Sequence, residues 1–199
     1  MSRWIEPVTL EGEHVKLVPL TVEHEAALAS AAADGELWKL WYTSVPSPDT
    51  ARAYIDAAID MRERLGAHPF AVIDPKSGDV VGSTRYFNVE AAHRRLEIGH
   101  TWYAKRVQRT ALNTEAKLLL LGHAFEQLKA IAVEFRTHFM NHQSRAAIAR
   151  LGAKQDGILR NHQIGKDGAY RDTVVFSIIE SEWPEVKKSL EEKLAGGKS

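Results

Sequence analysis

Between residues 96 and 128 the chain changes its hydrophobic period without a break. Leu96-Glu97-Ile98-Gly99-His100-Thr101-Trp102 alternates with period 2, whereas Leu118, Leu121, Phe125 and Leu128 recur at spacings of three and four. A strand therefore runs into a helix through an elbow that carries Lys105, Arg106 and Arg109. The first turn of any helix leaves backbone N–H groups unpaired, and the macrodipole places about half a positive charge there. A diphosphate is stabilised at such a point without a dedicated side chain. Arg106, Gln108 and Arg109 add donors just before the helix, and Asn113 and Thr114 add two more. Taken alone, the segment fits a phosphate-binding turn and an ordinary capped helix with solvated arginines equally well.

The rest of the chain narrows the choice. At 199 residues it fits one domain, with no Pro/Gly/Ser-rich linker to divide it. Lys+Arg and Asp+Glu both number 26, so the field that dominates nucleic-acid affinity is missing, and no polybasic run suggests a membrane surface. The absence of cysteine excludes disulfide scaffolding, thiolate catalysis and Cys-based metal sites. With no charged start followed by an apolar stretch and no long apolar run, the expectation is a soluble protein kept in the cytoplasm. The nine histidines do not form a His-Glu-x-x-His motif, and the spacing of His138 and His142 spans a strand-to-helix change, so no metal is expected.

Residues 15–20 read as a first strand, followed by an alanine-rich helix capped by Thr21 and reaching Ala33. Trp38, Trp41 and Tyr42 fall in a loop or short helix. Ser47-Pro48-Asp49 starts a second helix, which Gly66 ends. A hairpin follows, with strands over 69–74 and 79–89 around Pro75-Lys76-Ser77-Gly78. After the strand-elbow-helix unit come a strand over 132–139, a short helix from Asn141 to Gly152, and two strands near Ile158 and over 173–179. Interleaved strands and helices predict an α+β or mixed α/β single domain.

With Asn141-His142-Gln143-Ser144 placed one strand after the elbow, the chain resembles the GNAT superfamily of acyl-CoA N-acyltransferases, and within it the RimJ/RimL type that acetylates protein N-terminal amines. Leu96-Glu97-Ile98-Gly99 is similar to that family's central strand, and Arg106-Val107-Gln108-Arg109-Thr110-Ala111 to its pyrophosphate loop. Asn141 with Ser144, Leu151-Gly152-Ala153, Asp156-Gly157-Ile158-Leu159-Arg160 and the segment from Asp167 to Ser177 continue the match in order. The resemblance implies a GNAT-like α+β fold, a mixed, mostly antiparallel central sheet flanked by helices. It spans residues 8–183, with residues 184–199 as a C-terminal helix and frayed tail. Two departures stand out. The first loop glycine is replaced by Arg109, so this position is expected in the helical region, with its guanidinium contacting phosphate. The place of a frequent family carboxylate falls near Gln163.

The resemblance further implies direct acetyl transfer from acetyl-CoA to a primary amine, with a protein or peptide α-amine first in rank. A small-molecule amine and a non-catalytic acyl-CoA-binding module are the alternatives, and a homodimer is compatible with it. Thr101, Trp102, Tyr103, Arg106, Gln108, Arg109, Thr110, Ala111, Leu112, Asn113 and Thr114 are the implied cofactor contacts, with Asn141 orienting the pantetheine arm and Ser144 both contacting the cofactor and donating a proton or a hydrogen bond to the departing thiolate. A strand bulge around Thr101 and Trp102 is expected to offer N–H groups to the thioester carbonyl. For the base, Glu97 ranks first as an acid in a strand that should be buried, the alternative being an ion pair with Arg85 or Arg94. His100 and His138 follow. Trp38, Trp41, Tyr42, Tyr86 and Phe87 either line an acceptor groove or belong to the core.

Overall fold

A computed structural model describes residues 4–40, 43, 45–165 and 168–196; Trp41, Tyr42 and Asp167 lie outside them. Two short strands, β1 (Leu10–Glu11) and β2 (Lys16–Pro19), open the sheet. Thr21 then starts a 3-10 turn in which its N–H is taken by His24 Nδ1 at 3.1 Å, and helix α1 (Glu25–Ala33) follows. Ser47 and Thr50 cap one another around Pro48, and the turn they close leads into α2 (Ala51–Leu65). Gly66 ends α2 at φ 68°, a left-handed position that costs glycine least.

The hairpin of β3 (His68–Ile73) and β4 (Val80–Glu90) continues into β5 (Arg95–Tyr103), then α3 (Ala111–Gly122), β6 (Ala132–His138) and α4 (His142–Arg150). The chain closes with β7 (Lys154–Ile164), β8 (Tyr170–Ile179) and α5 (Trp183–Ala195). The eight strands lie in the order β1-β2-β3-β4-β5-β6-β8-β7. Every neighbouring pair is antiparallel except β5 with β6. The expected mixed, mostly antiparallel sheet flanked by helices is what the chain forms.

Leu17, Phe70, Tyr86, Leu96, Ile98, Leu120 and Leu121 are all within the fully enclosed core between sheet and helices. The α-helix expected to reach Leu128 is shorter: α geometry stops at Gly122 and a π turn carries the chain to Gln127. One turn earlier the Tyr86 hydroxyl donates to the Leu120 carbonyl at 2.6 Å, the kind of side-chain insertion that widens a helix. Beside this turn Phe125 stacks on Trp183 at 5.5 Å, and the Trp183 indole donates to Glu126 Oε1 at 2.9 Å, which docks α5 against α3.

At its other end α3 is fastened to the start of the chain. The Glu115 carboxylate is buried and accepts the N–H groups of Glu13, His14 and Val15 at 3.0, 2.6 and 2.9 Å. A carboxylate with three backbone donors is well compensated for its loss of water.

Candidate active site

Three pairs hold β5 against β6: Arg95 with Ala132, Leu96 with Val133 and Glu97 with Glu134. Among the described residues the ladder ends there, so the two parallel strands part and leave a wedge with Glu97 and Glu134 at its apex. Both strands point their C-terminal ends toward the mouth, β5 delivering the elbow on one side and β6 delivering α4 on the other.

Along the wedge, β5 carries an extra residue. Ser83 pairs with Trp102 and Arg85 with Gly99, so Thr84 alone opposes His100 and Thr101. This is a β-bulge, placed one residue before the expected Thr101-Trp102 step, and His100 takes up its turn at φ 50°. Tyr54 of α2 reaches it from one side, its hydroxyl donating to the His100 carbonyl at 3.5 Å and accepting from the Trp102 indole at 3.4 Å. From the other side Lys117 Nζ donates to Thr101 Oγ1 at 3.0 Å, and Thr101 Oγ1 lies 2.8 Å from Thr84 Oγ1. A bulge turns backbone N–H groups out of the ladder, where they can face a carbonyl oxygen.

Glu97 is almost fully enclosed, as its strand pattern predicts. Its Oε2 accepts from Asn88 Nδ2 at 2.8 Å and lies 3.4 Å from Arg136 Nε. The expected alternative partners are not used: Arg94 sits exposed in the turn between β4 and β5, and the buried Arg85 guanidinium lies over the Tyr54 ring with one nitrogen 3.3 Å from Met61 Sδ. Arg136 also binds Glu134, which takes a second ion pair from Arg95. Burial pushes the Glu97 carboxyl up to about 7, with Asn88 and Arg136 pulling the other way. Only glycine fits at position 99, because a Cβ there would meet the Phe87 ring at 2.6 Å.

His100 is less suited to take a proton. Burial and the neighbouring Arg85 charge push its imidazole down to about 3, so it is neutral but weakly basic. Its ring packs edge-on against Phe87 at 4.8 Å, which keeps Phe87 near the site. Tyr86 points the opposite way, into the core under α3, and does not line the acceptor side. Trp38 is half-buried in a 3-10 turn. His138 is also lowered by burial, and its Nδ1 accepts the Met140 N–H at 3.0 Å.

In the elbow, Thr110 caps α3, accepting from Leu112 N–H at 3.3 Å and donating to the Val107 carbonyl at 2.8 Å. Gln108 donates to the Tyr103 carbonyl at 2.9 Å, which braces the turn. Arg106 is tied to Asp34 at 3.2 Å and Asp79 at 3.5 Å, so its guanidinium is already partnered by two carboxylates. Arg109 is exposed and has φ 60°. This corrects the expectation of a helical backbone there: the loop keeps a conformation that favours glycine although arginine occupies it. Ala111 and Asn113 are half-buried on the first turn, whereas Leu112, Thr114 and the Tyr103 ring are enclosed. The open helix start is compatible with an anionic diphosphate. Across the mouth, Asn141 Oδ1 accepts the Ser144 N–H at 3.0 Å, so Asn141 is the N-cap of α4 and Ser144 stands half-buried in its first turn.

The family profile of the acetyltransferase (GNAT) domain matches residues 14–154. The chain belongs to the GNAT acetyltransferase family. A Bacillus subtilis (strain 168) relative named "Putative ribosomal N-acetyltransferase YdaF" is 30% identical over 148 residues, 72% of this chain and 78% of that protein. The crystal structure of a GCN5-related N-acetyltransferase from Brucella melitensis is 31% identical, covers 96% of this chain and 86% of its own, and superposes with a TM-score of 0.83. The RimJ of Mycobacterium smegmatis in complex with CoA-disulfide shares the fold, with a TM-score of 0.77 at 22% identity over 96% of both chains. The RimJ/RimL likeness of the sequence is thereby borne out, and this GNAT protein is an N-acetyltransferase. Among the described residues no cluster of His, Asp or Glu could hold a metal ion, and no helix is long and apolar enough to cross a membrane.

Sequence reasoning passed over Tyr54, Thr84, Asn88, Lys117 and Arg136. Thr84, Asn88 and Arg136 act through cross-strand neighbours that only register reveals. Lys117 had a signal, since it falls on the apolar face of its helix, four residues before Leu121.

Proposed function

We propose that this N-acetyltransferase transfers the acetyl group of acetyl-CoA directly to the α-amine of a protein or peptide, with Glu97 as general base. The enclosure of the Glu97 carboxyl at the apex of the wedge, with Asn88 Nδ2 at 2.8 Å, is the observation that carries the reading, and burial there pushes the carboxyl up to about 7. A protein α-amine has a pKa of about 7.7 to 8.0, close enough for a base of that strength to deprotonate it, whereas lysine at about 10.4 is poorly matched.

The helix start with Arg109, Ala111 and Asn113 takes the diphosphate, and the wedge between β5 and β6 takes the pantetheine arm. The amine nitrogen attacks the thioester carbon and gives its proton to Glu97. The oxyanion that forms is held by N–H groups of the bulge, the C–S bond breaks as the carbonyl re-forms, and the CoA thiolate leaves while accepting a hydrogen bond from the Ser144 hydroxyl, its proton coming from solvent. No covalent enzyme intermediate is needed, and most of the acceleration comes from alignment, which can supply about 7 to 11 kcal/mol. Such an enzyme works in the cytoplasm, where acetyl-CoA and newly made proteins meet.

Incubation with acetyl-CoA and a mixed panel of peptides, polyamines and amino sugars tests the reading. An acetyl-sized mass gain located on peptide α-amines is expected. Acetylation confined to lysine side chains or polyamines would overturn it.

A further inference from the structure

An enclosed lysine touches the bulge. Lys117 lies in the middle of α3 with only 6% of its surface exposed, and among the described residues its nitrogen meets no carboxylate. Lysine is almost never enclosed without a charge partner, because its ammonium loses water and gains nothing in return. A methionine of similar length would fill the same space without that cost. The placement therefore asks what the nitrogen does.

Its bond to Thr101 Oγ1 answers this. Thr101 directly follows His100, whose left-handed backbone is strained for a residue with a side chain, and such strain persists only where the surroundings over-determine it. Tyr54 grips the His100 carbonyl from the α2 side. On the α3 side Lys117 donates to Thr101 Oγ1, which also lies 2.8 Å from Thr84 Oγ1 and 3.5 Å from the Gly99 carbonyl oxygen. We propose that Lys117 is the positioning residue of the thioester-binding bulge, fixing Thr101 so that the bulge N–H groups face the carbonyl oxygen of acetyl-CoA. The inference rests on the thioester site described above and adds a residue that acts on it through Thr101. Burial lowers the Lys117 amine to about 7, so it supplies this bond with little fixed charge to spread into the core.

The test reads the bound thioester itself and needs no acceptor. Acetyl-CoA isotopically labelled at its thioester carbonyl is bound to the full chain, and its C=O stretch is recorded by difference infrared spectroscopy, with affinity by calorimetry. In the wild type the stretch moves to lower frequency than in free acetyl-CoA. Lys117→Met and Thr101→Val each return it toward the free value, with Kd within about twofold of wild type, and the double variant returns it no further, since the two residues act as one unit. With an amine acceptor the same variants lose roughly ten- to a hundredfold in kcat, the scale of a small misplacement at a reacting centre. A wild-type frequency in both single variants, or displacements that add in the double variant, would overturn the role of Lys117 and leave the thioester site standing. No displacement in the wild type sinks both. Lys117→Gln, run in parallel, keeps the comparison readable should the methionine variant not fold: it must reproduce part of the return, and no return overturns the role.

Discussion

Asn88 aims its side-chain amide at Glu97 from a left-handed backbone at φ 46°, closing a 2.8 Å hydrogen bond onto an enclosed carboxyl. Asparagine tolerates that conformation better than most residues, and it favours the ionised carboxyl. Its removal should therefore raise the pKa of Glu97. In Asn88→Ala the acidic limb of the kcat/KM profile is expected to move up by roughly one pH unit, and in Glu97→Gln to vanish together with most of the activity. A limb unmoved in Asn88→Ala would argue that Glu97 is not the base.

The same burial makes stability depend on pH in two opposite ways. Glu97 goes from an ordinary 4.5 to about 7 on folding, so the folded state holds a proton that the unfolded state has released, and stability falls as pH rises through that window. Lys117 goes from 10.5 to about 7, so there the unfolded state binds more protons, and stability rises from about pH 7 to about pH 10.5. Thermal unfolding of Glu97→Gln should lose the fall, gaining up to about 3 kcal/mol over wild type at pH 8 and little at pH 4. Lys117→Met should lose the rise. Parallel pH profiles for wild type and both variants would contradict these assignments.

Arg109 offers a separation of backbone from charge. At φ 60° glycine relieves strain, so Arg109→Gly is expected to hold or raise stability by up to about 1 kcal/mol, while Arg109→Val lowers it by more. If the guanidinium contacts the diphosphate, Arg109→Gly weakens acetyl-CoA several-fold and leaves acetyl-pantetheine, which has no phosphate, unchanged. Equal affinity losses for the two ligands would confine Arg109 to the shape of the loop.

Across the mouth of the wedge, two neighbours should behave differently. Asn141→Ala removes the cap of α4 and should cost about 1 kcal/mol in thermal unfolding, with Asn141→Asp retaining it. Ser144→Ala should leave stability and acetyl-CoA affinity near wild type and lower kcat, most strongly where loss of the thiolate limits the rate. A kcat equal to wild type would remove Ser144 from the mechanism.

The sequence made the frame legible because each cue was local. The period change at residues 96–128 located β5, the elbow and α3, while Ser47-Pro48, Gly66 and Asn141 marked helix ends by their own chemistry. The enclosed acid at Glu97 could be read from strand alternation. Its partner could not, since Arg136 stands on a neighbouring strand and meets Glu97 only through the parallel register of β5 and β6. Arg109 misled for a related reason: a side chain was taken to report its backbone, but φ is positive there with arginine in place, in a turn braced on either side by Gln108 and Thr110. Tyr86 and Phe87, adjacent in sequence, face opposite sides of the sheet, so only Phe87 packs against His100 at the bulge.

The clasp of Glu115 on residues 13–15 has a mechanical meaning for the whole enzyme. It spans about a hundred positions of sequence, yet it sits one turn inside the helix that begins at the elbow. Tension applied ahead of β1, from a fused partner or a tethering surface, would load that helix through Glu115. With the diphosphate at the start of α3, as proposed above, an enzyme tethered ahead of β1 is expected to lose acetyl-CoA affinity that one tethered after α5 keeps.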